Sequence, residues 1–146
     1  MSVELVTYTD EHLAGVRALW KEAFPDDAPR NWADVVIPAK LLIQPELLIV
    51  ALEKDQVVGS AMAGYDGHRG WLNSVAVKKS FRGQGIGAAL VNEAERRLRA
   101  LGCVKINLQI HISNGAVSEF YRRLGYAVEA RMSMGKEIDQ RQTEAQ

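Results

Sequence analysis

The sequence predicts an α/β fold: a mixed, mostly antiparallel central sheet of about six to seven strands flanked by about four helices. Three features of the 146-residue chain carry that prediction. Apolar runs fill much of residues 47–77 and are separated by short polar turns, the pattern of an antiparallel meander. Two later amphipathic stretches, closed by Gly102 and Gly125, read as helices. The element order is roughly β-α-α-β-β-β-α-β-α-β, which places helices on both faces of the sheet.

Each element has its local reason. Residues 3–8 alternate apolar and polar and read as a strand. Thr9 or Asp10 can cap the helix that follows, whose Leu13, Val16, Leu19 and Trp20 form an apolar stripe. Pro25 and Pro29 make a loop, and residues 31–43 read as a second helix that Pro38 kinks or splits. Residues 47–52, 57–65 and 71–77 are the three meander strands, turned at 53–56 and 66–70. A polar loop at 78–84 precedes a helix with Ile86, Leu90, Ala94 and Leu98 on one face. Residues 104–110 are a strand, Asn114 caps a helix reaching Leu124, and residues 126–134 supply a last strand or two. Residues 1–138 are expected to form one domain, with 139–146 a polar, frayed tail.

Composition narrows the function classes. Eighteen Lys and Arg balance eighteen Asp and Glu, so the chain lacks the overall basic excess of nucleic-acid binders. Cys103 is the only cysteine, which rules out an intrachain disulfide. Its place after a helix stop suits core packing, and no histidine or acid is set to activate it. The three histidines are scattered, without metal-ligand spacing. The N-terminus lacks the pattern of a signal peptide, and no apolar run approaches the ~20 residues that span a bilayer. The expectation is a cytoplasmic protein without metal, nucleic-acid or membrane partners.

The sharpest local signal is the loop Arg82-Gly83-Gln84-Gly85-Ile86-Gly87, followed by Ala88, between a strand and a helix start. First-turn amides have no partner inside the helix, and the helix dipole adds partial positive charge there. Glycines let the backbone approach a phosphate, so a pyrophosphate is the natural ligand, and Lys78, Lys79 and Arg82 can reinforce it. The plain alternative is a glycine-rich chain reversal. The run also fits the G-x-G-x-x-G/A dinucleotide fingerprint, but residues 104–110 carry no acid to hold a ribose, and the motif follows a meander instead of opening a βαβ unit. A P-loop is excluded because no Gly-Lys-Ser/Thr follows.

Arg82-x-x-Gly85-x-Gly87 resembles the acetyl-CoA signature of the GNAT N-acetyltransferase superfamily. A second block, from Asn114 through Ala116-Val117, Tyr121 and Gly125-Tyr126, resembles that family's N-x-x-A-x-x-x-Y-x-x-x-G-F/Y motif, with Val117 where alanine is usual. The resemblance runs from about Val57 to Gly135 and is closest to small bacterial single-domain members. It implies acetyl-CoA as acyl donor and an amine as acceptor. Val75, Ala76 and Val77 would bind the pantetheine arm through their backbone, Gly83, Gln84, Gly85, Ile86, Gly87 and Ala88 would hold the pyrophosphate beside Arg82, and Asn114 would contact the cofactor arm. Tyr121 would be the general acid that protonates the departing thiolate.

The general base is not given by the resemblance. Gln109 stands where some members carry a glutamate, five residues before the asparagine. His111, assigned to the same strand face, is the candidate, because imidazole titrates near neutrality. His68, Asp66 and Glu53 are explained by turns, and Asn73 or Ser74 could orient a water instead. Trp20, Phe24, Asp26, Asp27, Trp32 and Asp34 lie where the family binds its acceptor and would suit a cationic amine, although core packing and solvation explain them as well. The expected function is N-acetylation of a small molecule or a peptide by a monomer or homodimer. The alternative is a CoA-binding sensor with little catalysis.

Overall fold

The computed structural model describes residues 2–138, so the expected tail at 139–146 lies outside the described residues. The chain divides into two compact units that part between Ile110 and His111. The first unit holds β1 (Glu4–Thr7), α1 (Leu13–Ala23), α2 (Ala33–Ile43), β2 (Leu48–Glu53), β3 (Gln56–Tyr65), β4 (Gly70–Val77), α3 (Ile86–Ala100) and β5 (Ile106–Leu108). The second holds α4 (Gly115–Arg123). Short 3-10 turns at Pro29–Asn31, Pro45–Leu47 and Lys79–Phe81 join elements of the first unit. No described helix is long and apolar enough to cross a membrane.

The five strands lie side by side in chain order. β1 to β4 pair antiparallel, which bears out the meander, and β5 runs parallel to β4 from Gly70↔Ile106 to Leu72↔Leu108. The sheet is therefore mixed, but it has five strands among the described residues, not six or seven. Residues 126–134, expected to add a strand or two, are irregular. Their alternation finds no ladder, and Val128, Met132 and Met134 stay 78%, 89% and 90% exposed. The strand expected at 104–110 shrinks to three residues, because β4 begins at Gly70, opposite Ile106, and bulges just beyond Leu72, opposite Leu108.

Strand alternation gives the sheet two apolar faces. Leu48, Val50, Leu52 and Met62 pack with Val16, Leu19 and Trp20 of α1 and Ala33 and Ile37 of α2. On the opposite face, Gly59 lies beside Ala51 and against Leu90 of α3. A Cβ at Gly59 would stand 2.9 Å from Leu90, so the glycine sets how closely helix and sheet approach. Pro38 does not split α2, which runs unbroken through it.

β3 outruns β2 by three residues, because its pairing with β2 stops at Leu48↔Met62. α2 covers the overhang with side chains one helical turn apart. Lys40 Nζ donates to the carbonyl of Ala63. Gln44 accepts from Tyr65 N at 3.1 Å and donates to Tyr65 O at 3.0 Å, which is what a strand residue would do there.

Candidate active site

The glycine loop is built for backbone exposure. Gly83 and Gly85 have φ of +79° and +83°, a region that other residues enter only under strain. Gly85 is the N-cap of α3 and supplies no side chain to it. The first intrahelical bond runs from Ala89 N to Gly85 O at 3.0 Å, so the amides of Ile86, Gly87 and Ala88 have no partner inside the helix. Ile86 buries its side chain in the core and so anchors the helix start, whereas Gln84 is exposed. Arg82 Nε donates to Val77 O at 3.1 Å, holding the arginine against the end of β4. An open groove of about 520 Å³ lies between Val3 and Leu5 on one side and Gln84, Gly85, Ile86 and Ala89 on the other. Sequence reasoning missed Glu22 of α1, whose Oε1 accepts from Lys79 N at 2.6 Å and pins the loop's entrance. A bond across 57 residues leaves no local signal.

Upstream, β4 is not a plain strand. Its register with β3 passes from Met62↔Asn73 to Ser60↔Ala76, so Ser74 and Val75 together face Ala61. Ser74 sits at φ +53°, a conformation that costs a non-glycine residue roughly 1 kcal/mol or more and persists only where its surroundings hold it. Those surroundings include the carbonyl of Ser74, which accepts from Ser60 Oγ at 2.8 Å, and Ser60, which accepts from Trp20 Nε1 at 2.9 Å. Ala76 is buried, whereas Val75 and Val77 are partly exposed.

In the second unit, Asn114 is the N-cap of α4 by position, but its side chain makes no cap hydrogen bond, contrary to the expected role. Its backbone does the work: Asn114 O accepts from Val117 N at 3.2 Å, and Asn114 N donates to His111 O at 2.8 Å. That second bond places His111 in a turn, not on the face of β5 as expected. The turn forms because His111 Nδ1 accepts from Ser113 N at 3.2 Å and lies 2.7 Å from Ser113 Oγ. Tyr121 is buried and packs edge-on against Phe120 and Tyr126, with centroids 4.9 and 5.7 Å away. Burial pushes its phenol up to about 12, so it keeps its proton throughout the neutral range.

The lesser candidates have structural explanations. Asp66 Oδ1 accepts from His68 N and Arg69 N at 2.8 and 2.7 Å, a side-chain-stabilised turn between β3 and β4. Cys103 is buried and donates to Lys105 O at 3.3 Å. Of the acceptor-side residues, Trp20 is core, Asp34 pairs with Arg17 at 2.6 Å, and Trp32 is 56% exposed.

Strand, bulge, glycine loop and a helix start without a side-chain cap thus follow one another along the chain, with first-turn amides of α3 unpartnered within the helix. Residues 13–126 match the family model described as Acetyltransferase (GNAT) family, and the chain belongs to that family of acyltransferases. An acetyltransferase from Pectobacterium atrosepticum is 36% identical over 138 residues, which cover 93% of this chain and 96% of that one. The fold is also that of an aminoglycoside N-acetyltransferase in complex with CoA, with TM-score 0.74 and 19% identity over 93% of this chain and 95% of that one. The N-acetyltransferase PaiA from Thermoplasma acidophilum, in complex with coenzyme A, gives TM-score 0.69 and 20% identity over 90% and 94% of the two chains. The reaction class is acetyl-CoA-dependent acetylation.

Proposed function

We propose that the chain moves the acetyl group of acetyl-CoA directly onto a primary amine of a small molecule or a peptide. The observation that carries this reading is the sequence of bulge, left-handed glycines and uncapped α3 start on a chain of this family. The loop amides from Gly83 to Ala88 and the Arg82 guanidinium hold the pyrophosphate. Val75, Ala76 and Val77 bind the pantetheine arm through their backbone, and Asn114 contacts it.

The neutral amine attacks the thioester carbonyl carbon, a C–N bond forms, and the carbonyl electrons move to oxygen. Backbone amides at the bulge stabilise that oxyanion, a contribution of ~3–4 kcal/mol for a single donor in comparable sites. The oxyanion collapses, the C–S bond breaks, and Tyr121 gives its proton to the departing thiolate. The attacking nitrogen loses one proton to a base, for which His111 is the candidate. Its Nδ1 lone pair already accepts from Ser113 N, so it takes the amine's proton only after that bond opens.

Thermal melting with acetyl-CoA, CoA and NAD tests the reading, since a ligand of the native state raises the melting temperature with occupancy. A rise with both CoA species and none with NAD is the expected result. No rise with either CoA species overturns it. Binding without turnover against a panel of amines favours the sensor reading.

A further inference from the structure

Trp20 and Ser60, both buried, and the half-buried Ser74 form a polar chain that the transfer steps do not use. Trp20 is 5% exposed and Ser60 fully buried. The indole N–H of α1 donates to the hydroxyl of β3, and that hydroxyl donates to the carbonyl of Ser74 in β4, at 2.9 and 2.8 Å. Each donor has one acceptor, and the chain ends on the residue at φ +53°. Serine is also unusual among its neighbours: Val57, Val58, Ala61, Met62 and Ala63 of β3 are apolar and buried. A polar group placed in that strand is costly unless bonded, and here it has a defined partner on each side.

The carbonyl of Ser74 belongs to the same peptide unit as the amide of Val75. Fixing the direction of one fixes the other, because the unit is planar. A donor on Ser74 O therefore aims the Val75 N–H. The bond also polarises that amide, as serial hydrogen bonds do in a low-dielectric interior. We propose that Trp20 and Ser60 are positioning residues of the transfer reaction: through the Ser74 carbonyl they orient the Val75 amide toward the thioester oxygen. This rests on the acetyl-transfer reading, and it adds to that reading an α1 residue and a β3 residue that never touch the substrate.

The test separates the two. The wild-type chain, Ser60→Ala, Ser60→Thr and Trp20→Phe are titrated with CoA and with acetyl-CoA carrying ¹³C at the thioester carbonyl. Affinities come from calorimetry, and the isotope-edited infrared band reports hydrogen bonding to the carbonyl oxygen. In the wild type the band shifts to lower frequency on binding. Ser60→Ala should lose at least half of that shift and lose roughly tenfold more affinity for acetyl-CoA than for CoA, since the donor aimed at the thioester oxygen is lost. Ser60→Thr keeps the hydroxyl and should restore the shift. Trp20→Phe should lose a smaller part of it, and decides the matter if Ser60→Ala fails to fold. A full wild-type shift in Ser60→Ala, or in Trp20→Phe where that variant decides, overturns the proposal. Absence of acetyl-CoA binding by the wild type overturns the acetyl-transfer reading instead.

Discussion

Tyr121 illustrates how much a single side chain's surroundings decide. Burial raises its pKa from 10.0 to about 12, so the folded chain binds this proton more tightly than the unfolded one. The resulting stabilisation is complete below pH 10 and is lost as pH climbs through about 12. The phenol also stays an available acid at every ordinary assay pH. Tyr121→Phe should therefore lower kcat ~10²–10³-fold with little change in CoA affinity. Its pH–rate profile should show the same alkaline limb as the wild type up to about pH 10, and a limb that vanishes in the variant would assign Tyr121 a different role. The tyrosine was legible in the sequence because it falls inside a spaced motif. Trp20 and Ser60 were not, because the bond between them joins residues 40 apart, and nothing in a list of apolar neighbours marks one serine as a donor.

Elements are held to one another by a few decisive contacts. Arg97 of α3 donates to Glu93 at 2.7 Å, to Thr7 Oγ1 at the end of β1 at 2.9 Å, and to the carbonyl of Glu46 at 2.8 Å. Replacing it with Met should cost ~1–2 kcal/mol in urea unfolding, since it strips three charge-assisted bonds from a mostly covered side chain. Hydrogen bonds from Arg96 and then Arg97 hold the Glu93 carboxyl at about 2, below its ordinary 4.5. Its contribution is present above pH 4.5 and lost as pH falls through about 2, so Glu93→Gln should flatten stability against pH across that window. Gly15 offers a change of sign. Ala is favoured over Gly within a helix by about 1 kcal/mol. Here a Cβ would lie 2.7 Å from Val57 Cγ2 on β3, so Gly15→Ala should instead destabilise by ~1–3 kcal/mol in the same unfolding assay.

For the molecule as a whole, the order of elements and the meander were legible because hydrophobic period and turn chemistry are local. The strand expected at 126–134 was not, because alternation states a preference that only a neighbouring ladder realises. The glycine loop was legible since its φ values demand glycine, whereas Glu22's hold on it depends on α1 packing beside β4. Charge belongs at this scale too. Positive and negative residues cancel over the chain, so attraction of a polyanion has to come from a local cluster, and Lys78, Lys79 and Arg82 lie beside the glycine loop. Arg82→Gln should weaken CoA binding about tenfold at low salt and make the remaining affinity less salt-dependent.

The overhang of β3 has a kinetic meaning of its own. The Tyr65 amide is tied to a helix side chain, Gln44, and not to a neighbouring strand. It should exchange with deuterium whenever the end of α2 lifts, faster than the amides deep in the sheet. A single backbone proton thus serves as a clock for the motion of the helix beside it.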